Sequence, residues 1–590
     1  MRAADRGRDE RAAPVRLRTL HVENFRGIKT ADLDLSAPFI ALIGPGDSTK
    51  TTILDAIGLV LTPRYNVTFT DADFHRADTA SPIVIEAVVA DLPDALVDER
   101  AHGKNRSGIR PDNTLTHDPV DEDGVVECLI IRLTVDADLE PVWEVVRPGE
   151  QVGDRMTASE RGQLGYFRVG ESSGQNLRWG RGSALTTMTQ SKSGATHALI
   201  EAQRQAREAV RSLSGTPLHD AAALAQAESQ TLGSAKFTDL RPGLDPAFGA
   251  GSAALMLHDG DIPLSQFGLG SRRLLSLSIQ ENALAGRSTV SIDELESGLD
   301  PHRLANLVRH LKQQTVTEKI QLIFTTHSPL VVESLSWRQL FVVRSENGVT
   351  TTTGVPEDLV DDDVSTVQGI VRATPSALLA RRVVIGEGAT EVGFLRAFLI
   401  ECDRRRLATG RVTSISTGTT VTNGGGDSLA PSRARAFAEL GYRTQLVLDA
   451  DVVTNTKRVE AAATAGADVV QWDAPRALED AIFTAIPDEA ILALVEYVIE
   501  DRGINSVADA VSARLPTSLP HDEPASWATV AGDNYRHALA TTAKKSGWFK
   551  REDHGMLLGQ TVWEHQKSLA DGDLLRGLKR VIKFVYADAS

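Results

Sequence analysis

Cysteine is scarce in this chain of 590 residues, which holds only Cys128 and Cys402. Two thiols cannot build a disulfide framework or a cysteine zinc site, so we expect both to be core residues in a reducing compartment. Long apolar runs are missing too, and none reaches the 18 residues of a membrane span. The N-terminal stretch MRAADRGRDERAAPVR lacks the apolar centre of a signal peptide. We therefore expect a cytoplasmic protein with no membrane partner.

An excess of positive charge is also absent. The chain has 63 Lys and Arg against 79 Asp and Glu, a net charge of −16. This balance excludes a cationic coat that would bind any polyanion, but it leaves local basic patches open. Net charge therefore does not decide whether nucleic acid is a partner.

Hydrophobic periodicity predicts an α/β protein with several segments. A charged tail at 1–15 is expected to be disordered. Strands and helices alternate over 16–190 and again over 241–375, and the Ala/Gln/Glu/Leu-rich stretch 191–240 between them predicts a helical insertion. A second strand–helix series occupies 376–590 and ends in a mainly helical part. At about 100 to 200 residues per domain, this length predicts three or four cores.

The segment GPGDSTKT follows an apolar strand and opens an apolar helix, which is the layout of a phosphate-binding loop. Backbone N–H groups at the helix start would contact phosphates, the Lys50 ammonium would reach the terminal phosphates, and the Thr51 hydroxyl would bind magnesium. The spacing fits GxxxxGK[ST] except that Thr49 stands where glycine is expected. An ordinary glycine-rich turn is the alternative. The candidate nucleotide-binding residues are Gly44, Gly46, Asp47, Ser48, Thr49, Lys50, Thr51 and Thr52.

Three further motifs suit the same site. The β-branched run in STVSIDELESGLDPHR ends at Asp293 and Glu294, which would serve a magnesium ion and the attacking water. The segment LSQFGLGSRR opens a helix, and QLIFTTHSP is a strand that ends at His327, placed to contact a γ-phosphate. Taken singly, the two acids could be a charge pair at a helix start, and His327 a buried core imidazole.

These four motifs, in this order, resemble the ATP-binding-cassette ATPases and the RecF-like DNA repair enzymes. The resemblance implies an ATPase domain built from 16–190 and 241–375, with a dimerisation element at 191–240. It implies ATP capped in trans by Ser265, Gly268 and Gly270, Asp300 in the D-loop, Glu294 as general base, and Thr51 with Asp293 on magnesium. No glutamine loop stands out, although Asp73 lies in roughly that region. The extra Cβ of Thr49 predicts weaker or slower ATP turnover.

A second set of acidic residues follows strands in the latter half. Glu387 ends the strand of RRVVIGEGATEVGFL and Glu391 follows one helical turn later. Asp449 and Asp451 end the strand of TQLVLDADV, where alternate residues share a side, and Glu479 lies in ALEDAIF. Such oxygen ligands suit two Mg²⁺ or Mn²⁺ ions that cleave phosphodiesters, and they argue against zinc. Solvated loop acids, or acids that favour a helix start, are the alternative.

The glutamate followed by DxD resembles the Toprim domain, and an ATPase followed by Toprim resembles the OLD (overcoming lysogenization defect) family nucleases, which include the Gabija nuclease subunit. The resemblance implies a Toprim nuclease domain at 376–590, in which Glu387, Glu391, Asp449, Asp451 and Glu479 bind metal or relay protons. It also implies a lysine that stabilises the pentavalent phosphate. Lys544, Lys545 and Lys550 are the candidates and Lys545 is favoured; a solvated basic helix end is the alternative.

Together these features predict an ATP-regulated, divalent-metal-dependent DNA endonuclease or nickase that forms a homodimer or higher oligomer. The family resemblance alone implies a role in anti-phage defence. A superfamily-one helicase is a candidate partner on family resemblance. A different class remains open, namely a nucleotide-switched DNA-binding or sensor ATPase whose Toprim is degenerate or partner-dependent. A transporter ATPase would not explain the second set of acids.

Overall fold

The computed structural model describes residues 15–64, 67–118, 124–169, 177–179, 185, 217–232, 237–244, 255–283, 289–317, 320–354, 364–450, 456–473 and 475–587. The chain divides into two compact units, Met1–Gly354 and Val355–Ser590. Of the tail expected at 1–15, all but Val15 lies outside the described residues, and Val15 is buried. The domain boundary predicted between 375 and 376 places residues 364–375 with the ATPase, whereas these residues fall in the second unit of the structure.

Strands dominate the first unit. They are β1 (Arg16–Phe25), β2 (Ile28–Asp34), β3 (Phe39–Ile43), β4 (Ile83–Ala90), β5 (Ser107–Ile109), β6 (Leu115–Thr116), β7 (Val126–Val135), β8 (Pro141–Val146), β9 (Asp154–Arg155), β10 (Tyr166–Val169), β11 (Arg178–Trp179), β12 (Leu240–Leu244), β13 (Leu255–Asp259), β14 (Ile262–Pro263), β15 (Thr289–Ile292), β16 (Gln321–Thr325), β17 (Leu340–Glu346) and β18 (Val349–Gly354). Its described helices are α1 (Lys50–Leu61), α2 (Asp94–Val97), α3 (Ala158–Gln163), α4 (Pro217–Thr231), α5 (Leu269–Ala283), α6 (Pro301–Thr317) and α7 (Pro329–Ser334).

One large sheet places the predicted nucleotide motifs at a common edge. Its parallel part has the order β10-β15-β16-β3-β17, and antiparallel strands extend it beyond β18 and β2. All residues of β3 and β16 are buried, as expected for parallel strands covered on both faces. The carboxyl ends of β3, β15 and β16 therefore bring the segments after residues 43, 292 and 325 together. Strands and helices alternate as predicted, and the α/β class is confirmed.

The predicted helical insertion at 191–240 is described only from residue 217 onward. There α4 is helical and buries Ala222 and Ala225 against Leu257 and Leu275, beside the small sheet β11-β13-β12. This part of the insertion thus belongs to the core of the first unit. Its role in dimerisation stays a prediction.

The second unit is a parallel sheet wrapped by helices. Its strands are β19 (Arg382–Gly386), β20 (Thr419–Asn423), β21 (Arg443–Leu448) and β22 (Asp468–Gln471). Its helices are α8 (Val364–Ala373), α9 (Ala389–Ala408), α10 (Ala430–Glu439), α11 (Thr456–Thr464), α12 (Leu478–Ala485), α13 (Asp488–Arg502), α14 (Ile504–Ser512), α15 (Trp527–Ala531), α16 (Tyr535–Ser546), α17 (Glu552–Glu564) and α18 (Asp573–Tyr586). The strand order β20-β19-β21-β22, all parallel, puts a topological switch point between β19 and β21. Ligands of open α/β sheets bind at that point, outside the carboxyl ends of the strands.

Glycines set the contact between α9 and α17. A Cβ on Gly393 would lie 2.0 Å from the Glu552 carbonyl oxygen, and one on Gly555 would lie 2.2 Å from the Thr390 carbonyl oxygen. The two helix backbones therefore approach more closely than side chains would permit. This contact fixes the start of α9, which carries Glu391, against the segment that leads into α17.

Both cysteines are buried and free, as predicted for core residues. Burial raises the pKa of the Cys128 and Cys402 thiols to about 12, so neither is a reactive thiolate at neutral pH. Among the described helices, none is long and apolar enough to cross a membrane.

Candidate functional site

The phosphate-binding loop connects β3 to α1, as the sequence predicts. Lys50 is 4% exposed, and its ammonium folds back onto the loop. It donates to the carbonyl oxygens of Gly44 (3.1 Å) and Pro45 (2.7 Å) and to the Ser48 hydroxyl (2.9 Å). Burial lowers the pKa of Lys50 to about 8, and the nearby charge of Arg344 lowers it further against the opposing pull of carboxylates. A terminal phosphate would give this ammonium a charged hydrogen-bond partner in place of the neutral oxygens of the loop.

Thr49 takes the left-handed backbone conformation that glycine usually supplies at this point, with φ 64°. For a β-branched residue this conformation is strained, at a cost of about 1–2 kcal/mol. Its hydroxyl lies 3.0 Å from that of Thr350 on β18, and its methyl would contact a Cβ on Gly27 at 3.1 Å. Contacts to neighbouring strands therefore hold the loop in shape where the sequence departs from the motif.

Asp293 follows β15 and faces the loop. One of its carboxylate oxygens accepts from the hydroxyls of Thr325 (2.6 Å) and Thr51 (3.2 Å). Adjacent ligands of an octahedral Mg²⁺ lie about 3 Å apart. The Thr51 and Asp293 oxygens thus stand at a separation that suits one shared ion.

Glu294 and His327 lie beside this acid. Glu294 is exposed, with φ 45°, and its backbone N–H donates to the Thr325 hydroxyl (2.7 Å). Partial burial and the Lys50 charge lower the pKa of His327, so a neutral imidazole is favoured. Both side chains are free of the core, which leaves them accessible to a ligand.

Sequence reasoning overlooked Glu296. Its carboxylate accepts from the Thr326 hydroxyl (2.7 Å) and from the His327 backbone N–H (2.6 Å). It therefore orients the segment that carries His327. The signal available in the sequence was a third acid two residues after Glu294 in DELE.

The helix start at LSQFGLGSRR packs against the loop after β15. A Cβ on Gly270 would lie 2.1 Å from the Gly298 carbonyl oxygen, whereas a Cβ on Gly268 meets nothing within 4 Å. Position 270 thus requires glycine because the backbone of the loop that leads to Asp300 packs directly against it. Position 268 has open space around it and could hold a side chain. Ser265 lies in a short 3-10 turn before α5 and is half-buried. The proposed trans contact of these residues to ATP stays a prediction.

An ion-pair chain links Asp293 to the region where a glutamine loop was sought. Arg168 on β10 lies 3.8 Å from Asp293 and also pairs with Asp55 on α1. Asp55 in turn pairs with Arg26, whose Nε donates to Asp73 (2.9 Å). Asp73 is therefore connected to the candidate magnesium position by a series of ion pairs between alternating acidic and basic side chains.

The second candidate site lies at the switch point of the parallel sheet. Glu387 follows β19, and its carboxylate accepts from the backbone N–H of Asp449, which follows β21 (3.0 Å). The Asp449 carboxylate accepts from the Trp472 indole (3.1 Å) and from the Leu478 backbone N–H at the start of α12 (2.9 Å). Glu387 and Asp449 thus meet in the crevice at the switch point, and α12, which carries Glu479, begins beside Asp449.

Glu391 and Glu479 are the most buried of these acids, each 7% exposed. Burial raises the pKa of both carboxyls, and the Glu479 charge raises the pKa of Glu391 further. Glu391 accepts from the Gly388 backbone N–H (2.7 Å) and so caps its own helix. Two buried carboxylates that repel one another are a natural place for a cation.

The basic cluster at the end of α16 and in the segment that follows it acts on the charge of these two acids. Lys550 lowers the pKa of both Glu391 and Glu479, and Lys544 lowers that of Glu479. A hydrogen bond from the Thr390 hydroxyl to the Phe549 carbonyl oxygen (2.6 Å) holds this segment against α9. Lys545, which the sequence favoured, is exposed at the end of α16. Which of the three lysines would stabilise the phosphate stays a prediction.

The donor chemistry of this crevice fits Mg²⁺ or Mn²⁺, because it consists of carboxylates. Among the residues described, however, no three His, Cys, Asp or Glu side chains are arranged to hold an ion. Asp451, the remaining predicted ligand, lies outside the described residues. The described residues therefore do not provide a complete set of metal ligands.

Comparisons with known proteins agree with the order of these sites. Residues 19–88 match a family model described as "AAA domain", and residues 240–333 match one described as "AAA domain, putative AbiEii toxin, Type IV TA system". The DNA replication and repair protein RecF of Vibrio campbellii is 52% identical over 44 residues, which is 8% of this chain and 12% of that protein.

Solved structures also match. The Smc head domain from Pyrococcus furiosus, bound to the C-terminal domain of ScpA, is 12% identical with a TM-score of 0.38, over 60% of this chain and 100% of that one. The SMC head domain from Thermotoga maritima is 16% identical with a TM-score of 0.29, over 58% and 99%.

A longer match is to an OLD nuclease of Thermus scotoductus, which is 27% identical over 349 residues. The match spans 56% of this chain and 62% of that relative, so the chain covers less than two thirds of its length. The resemblance expected from the motifs is confirmed. The chain matches AAA-domain models in two stretches and is similar, over more than half its length, to an OLD nuclease.

Proposed function

We propose that the protein is a divalent-metal-dependent DNA endonuclease or nickase whose activity is controlled by nucleotide at the first unit. The observation that carries this proposal is the hydrogen bond that joins Glu387 to Asp449 at the switch point of the parallel sheet, with the start of α12 bonded to Asp449. The similarity to an OLD nuclease supports it. Identifying the second unit as Toprim is part of the proposal.

Each residue has a role that its surroundings suggest. Two divalent ions, when bound, would activate water and neutralise charge on the phosphate oxygens. Glu387 and Asp449, with Asp451, would bind those ions. Glu391 and Glu479 are buried and have raised pKa values, so either can hold a proton at its carboxyl in the course of the reaction. Lys550 and Lys544 would stabilise negative charge on the phosphate.

The first unit would bind ATP with magnesium. Lys50 would exchange its loop carbonyl partners for phosphate oxygens, Thr51 and Asp293 would share the ion, and Glu294 would act as general base. Gly268 faces open space, which suits capping of ATP in trans and hence a homodimer. A cytoplasmic anti-phage role and a superfamily-one helicase partner are further proposals that rest on family resemblance.

Supercoiled plasmid incubated with Mg²⁺, Mn²⁺ or EDTA tests the proposal. We expect nicking with either metal and none with EDTA. Asp449→Asn should reduce nicking by at least about 100-fold because a carboxylate ligand is lost. Glu439→Gln, which removes a surface acid paired with Arg435 on α10, is the control and should cleave normally. Full cleavage by Asp449→Asn would refute the site.

A nucleotide-switched DNA-binding or sensor ATPase is the second candidate. It is favoured by the carboxylates of Glu391 and Asp449, which accept from backbone N–H groups, and by the lack of a three-ligand metal cluster among the described residues. This alternative predicts ATP-dependent DNA binding with no plasmid nicking under any metal. The same plasmid assay, run beside a DNA-binding assay, separates the two functions.

A further inference from the structure

A glycine-rich loop adjoins the acidic crevice. The segment NGGGDS, residues 423–428, follows β20 and leads into α10. The Gly424 backbone N–H donates to the Gly386 carbonyl oxygen (2.7 Å), and the Gly426 N–H donates to the carbonyl oxygen of Glu387 (2.8 Å). The loop is therefore bonded directly to the residue that opens the acidic site.

Each glycine of the loop has a distinct structural reason. A Cβ on Gly424 would lie 2.3 Å from that of Ala430, so this position is closely packed. Gly425 has φ 86°, and a Cβ there would lie 3.2 Å from the guanidinium carbon of Arg433. Gly426 has φ 101° and meets nothing within 4 Å. The loop thus accommodates an arginine at its second glycine and leaves free space at its third.

Two arginines from different helices hold the loop. Arg433, in the first turn of α10, donates from Nη1 to the Asn423 carbonyl oxygen (2.8 Å). Its Nε is buried and has no hydrogen-bond partner among the residues described, and burial lowers its pKa. Arg458 on α11 donates to the Ser428 carbonyl oxygen (2.8 Å). Two cationic side chains therefore flank the loop, which itself contains one acid, Asp427.

We propose that loop 423–428, with Arg433 and Arg458, binds a backbone phosphate of the DNA strand that enters the acidic crevice. This rests on the proposed nuclease function and deepens it by locating a substrate contact. Guanidinium groups beside the positive end of a helix are a favourable setting for a phosphate. The open space at Gly426 lets the phosphate approach the backbone closely. A contact here would orient the strand relative to Glu387 without taking part in the chemistry.

The experiment measures DNA binding apart from cleavage. Fluorescence anisotropy with a labelled DNA oligonucleotide, in Ca²⁺ and at several salt concentrations, gives the Kd and its salt dependence. Arg433→Ala and Arg458→Ala should each weaken binding by about 3- to 10-fold and reduce the salt slope by about one. Arg433→Lys, which keeps the charge but loses the planar fork, should recover part of the affinity.

Arg435→Ala is the matched control, since Arg435 lies on the same helix and pairs with Glu439. It should bind as the wild type does. Thermal melting of all variants, together with hydrolysis of bis(p-nitrophenyl) phosphate, reports whether the fold and the acidic site are intact. Both readouts should be unchanged in Arg435→Ala, and Arg458→Ala should melt as the wild type does.

Salt slopes equal to the wild type in both arginine variants would overturn the inference, and so would a wild type that does not bind DNA. If Arg433→Ala disturbs the loop and melts early, Arg458→Ala on a different helix decides the question. A wild type that binds DNA with the expected slopes but hydrolyses neither plasmid nor the small phosphodiester would overturn the nuclease function and leave the phosphate contact standing.

Discussion

The two candidate phosphate-binding sites contain buried side chains of opposite charge. In the first unit a buried ammonium, Lys50, is held by three oxygen acceptors of its own loop. In the second unit buried carboxylates, Glu391 and Glu479, repel one another and have raised pKa values. The first site therefore adds the ammonium of Lys50 to the magnesium that accompanies ATP, whereas the second site depends on cations from solution for its positive charge at the acids. The difference predicts that nucleotide binding depends on Lys50 and that cleavage depends on metal.

The largest expected effect separates the two sites through Lys50. Lys50→Ala should weaken nucleotide affinity by about 100-fold or more, because the loop loses its positive charge at the terminal phosphates. Nicking measured without nucleotide should be unchanged. Titration with a fluorescent ATP analogue measures the affinity, and Lys29→Ala, an exposed lysine on β2, is the control. A Lys50 variant that binds nucleotide as tightly as the wild type would show that the Lys50 charge does not bind phosphate, which contradicts the difference drawn between the two sites.

Breaking the helix contact should damage only the acidic site. Gly555→Ala places a Cβ 2.2 Å from the Thr390 carbonyl oxygen, so α9 and α17 must separate. We expect a destabilisation of about 2 kcal/mol, seen as an earlier thermal transition, with nucleotide affinity retained. In Gly572→Ala the new Cβ has no neighbour closer than 4.0 Å, and melting should not change. Equal melting of the two variants would contradict the close contact.

Removing charge from the acidic site should stabilise the metal-free protein. The folded-state pKa of Glu479 is raised, so the folded protein binds more protons than the unfolded chain once the pH exceeds about 4, and stability falls as pH rises. Glu479→Gln should therefore be more stable than the wild type at pH 8, by about 1 kcal/mol for each unit of pKa shift, and equal to it near pH 4.

Thermal melting across this pH range, with and without Mg²⁺, measures the difference. Metal should stabilise the wild type more than Glu479→Gln, because only the wild type presents the full set of carboxylates. A variant less stable than the wild type at pH 8 without metal would show that the Glu479 charge is already compensated.

The smallest effect concerns protons at the nucleotide site. Because the pKa of Lys50 is lowered to about 8, part of the free protein lacks this charge at pH 8.5. Bound phosphate favours the charged form, so binding at pH 8.5 should take up about three quarters of a proton, and affinity should fall as pH rises above about 8. Calorimetry in two buffers of different ionisation enthalpy measures this uptake. Identical heats in both buffers at pH 8.5 would exclude the lowered pKa.

Some of the architecture could be predicted because it depends on local pattern. The apolar strand before GPGDSTKT and the strands before Glu387 and Asp449 are continuous buried runs, and each occurs as predicted. Burial in the polar stretch 99–124 could not be foreseen. Ser107 is buried there because β5 pairs with the edge of β7, opposite Cys128.

Within the sites, the sequence identified acids and lysines but not their partners. It favoured Lys545 among three lysines, and that choice stays a prediction. It did not show that the charges of Lys550 and Lys544 lower the pKa of the buried acids, because this depends on contacts between distant segments such as the hydrogen bond from Thr390 to Phe549. It missed Glu296, whose hydrogen bonds reach a residue thirty-one positions away. Asp451 lies outside the described residues, so its role as a ligand stays a prediction.

By itself, the sequence determined the α/β class, the phosphate-binding loop and the positions of the acids at strand ends, because strand and helix periods and motif spacing are local properties. Tertiary structure alone decided that Thr49 is held by Thr350, that an ion-pair chain joins Asp73 to Asp293, and that the glycine-rich loop adjoins Glu387. These contacts join residues far apart in the chain, and strand order brings them together.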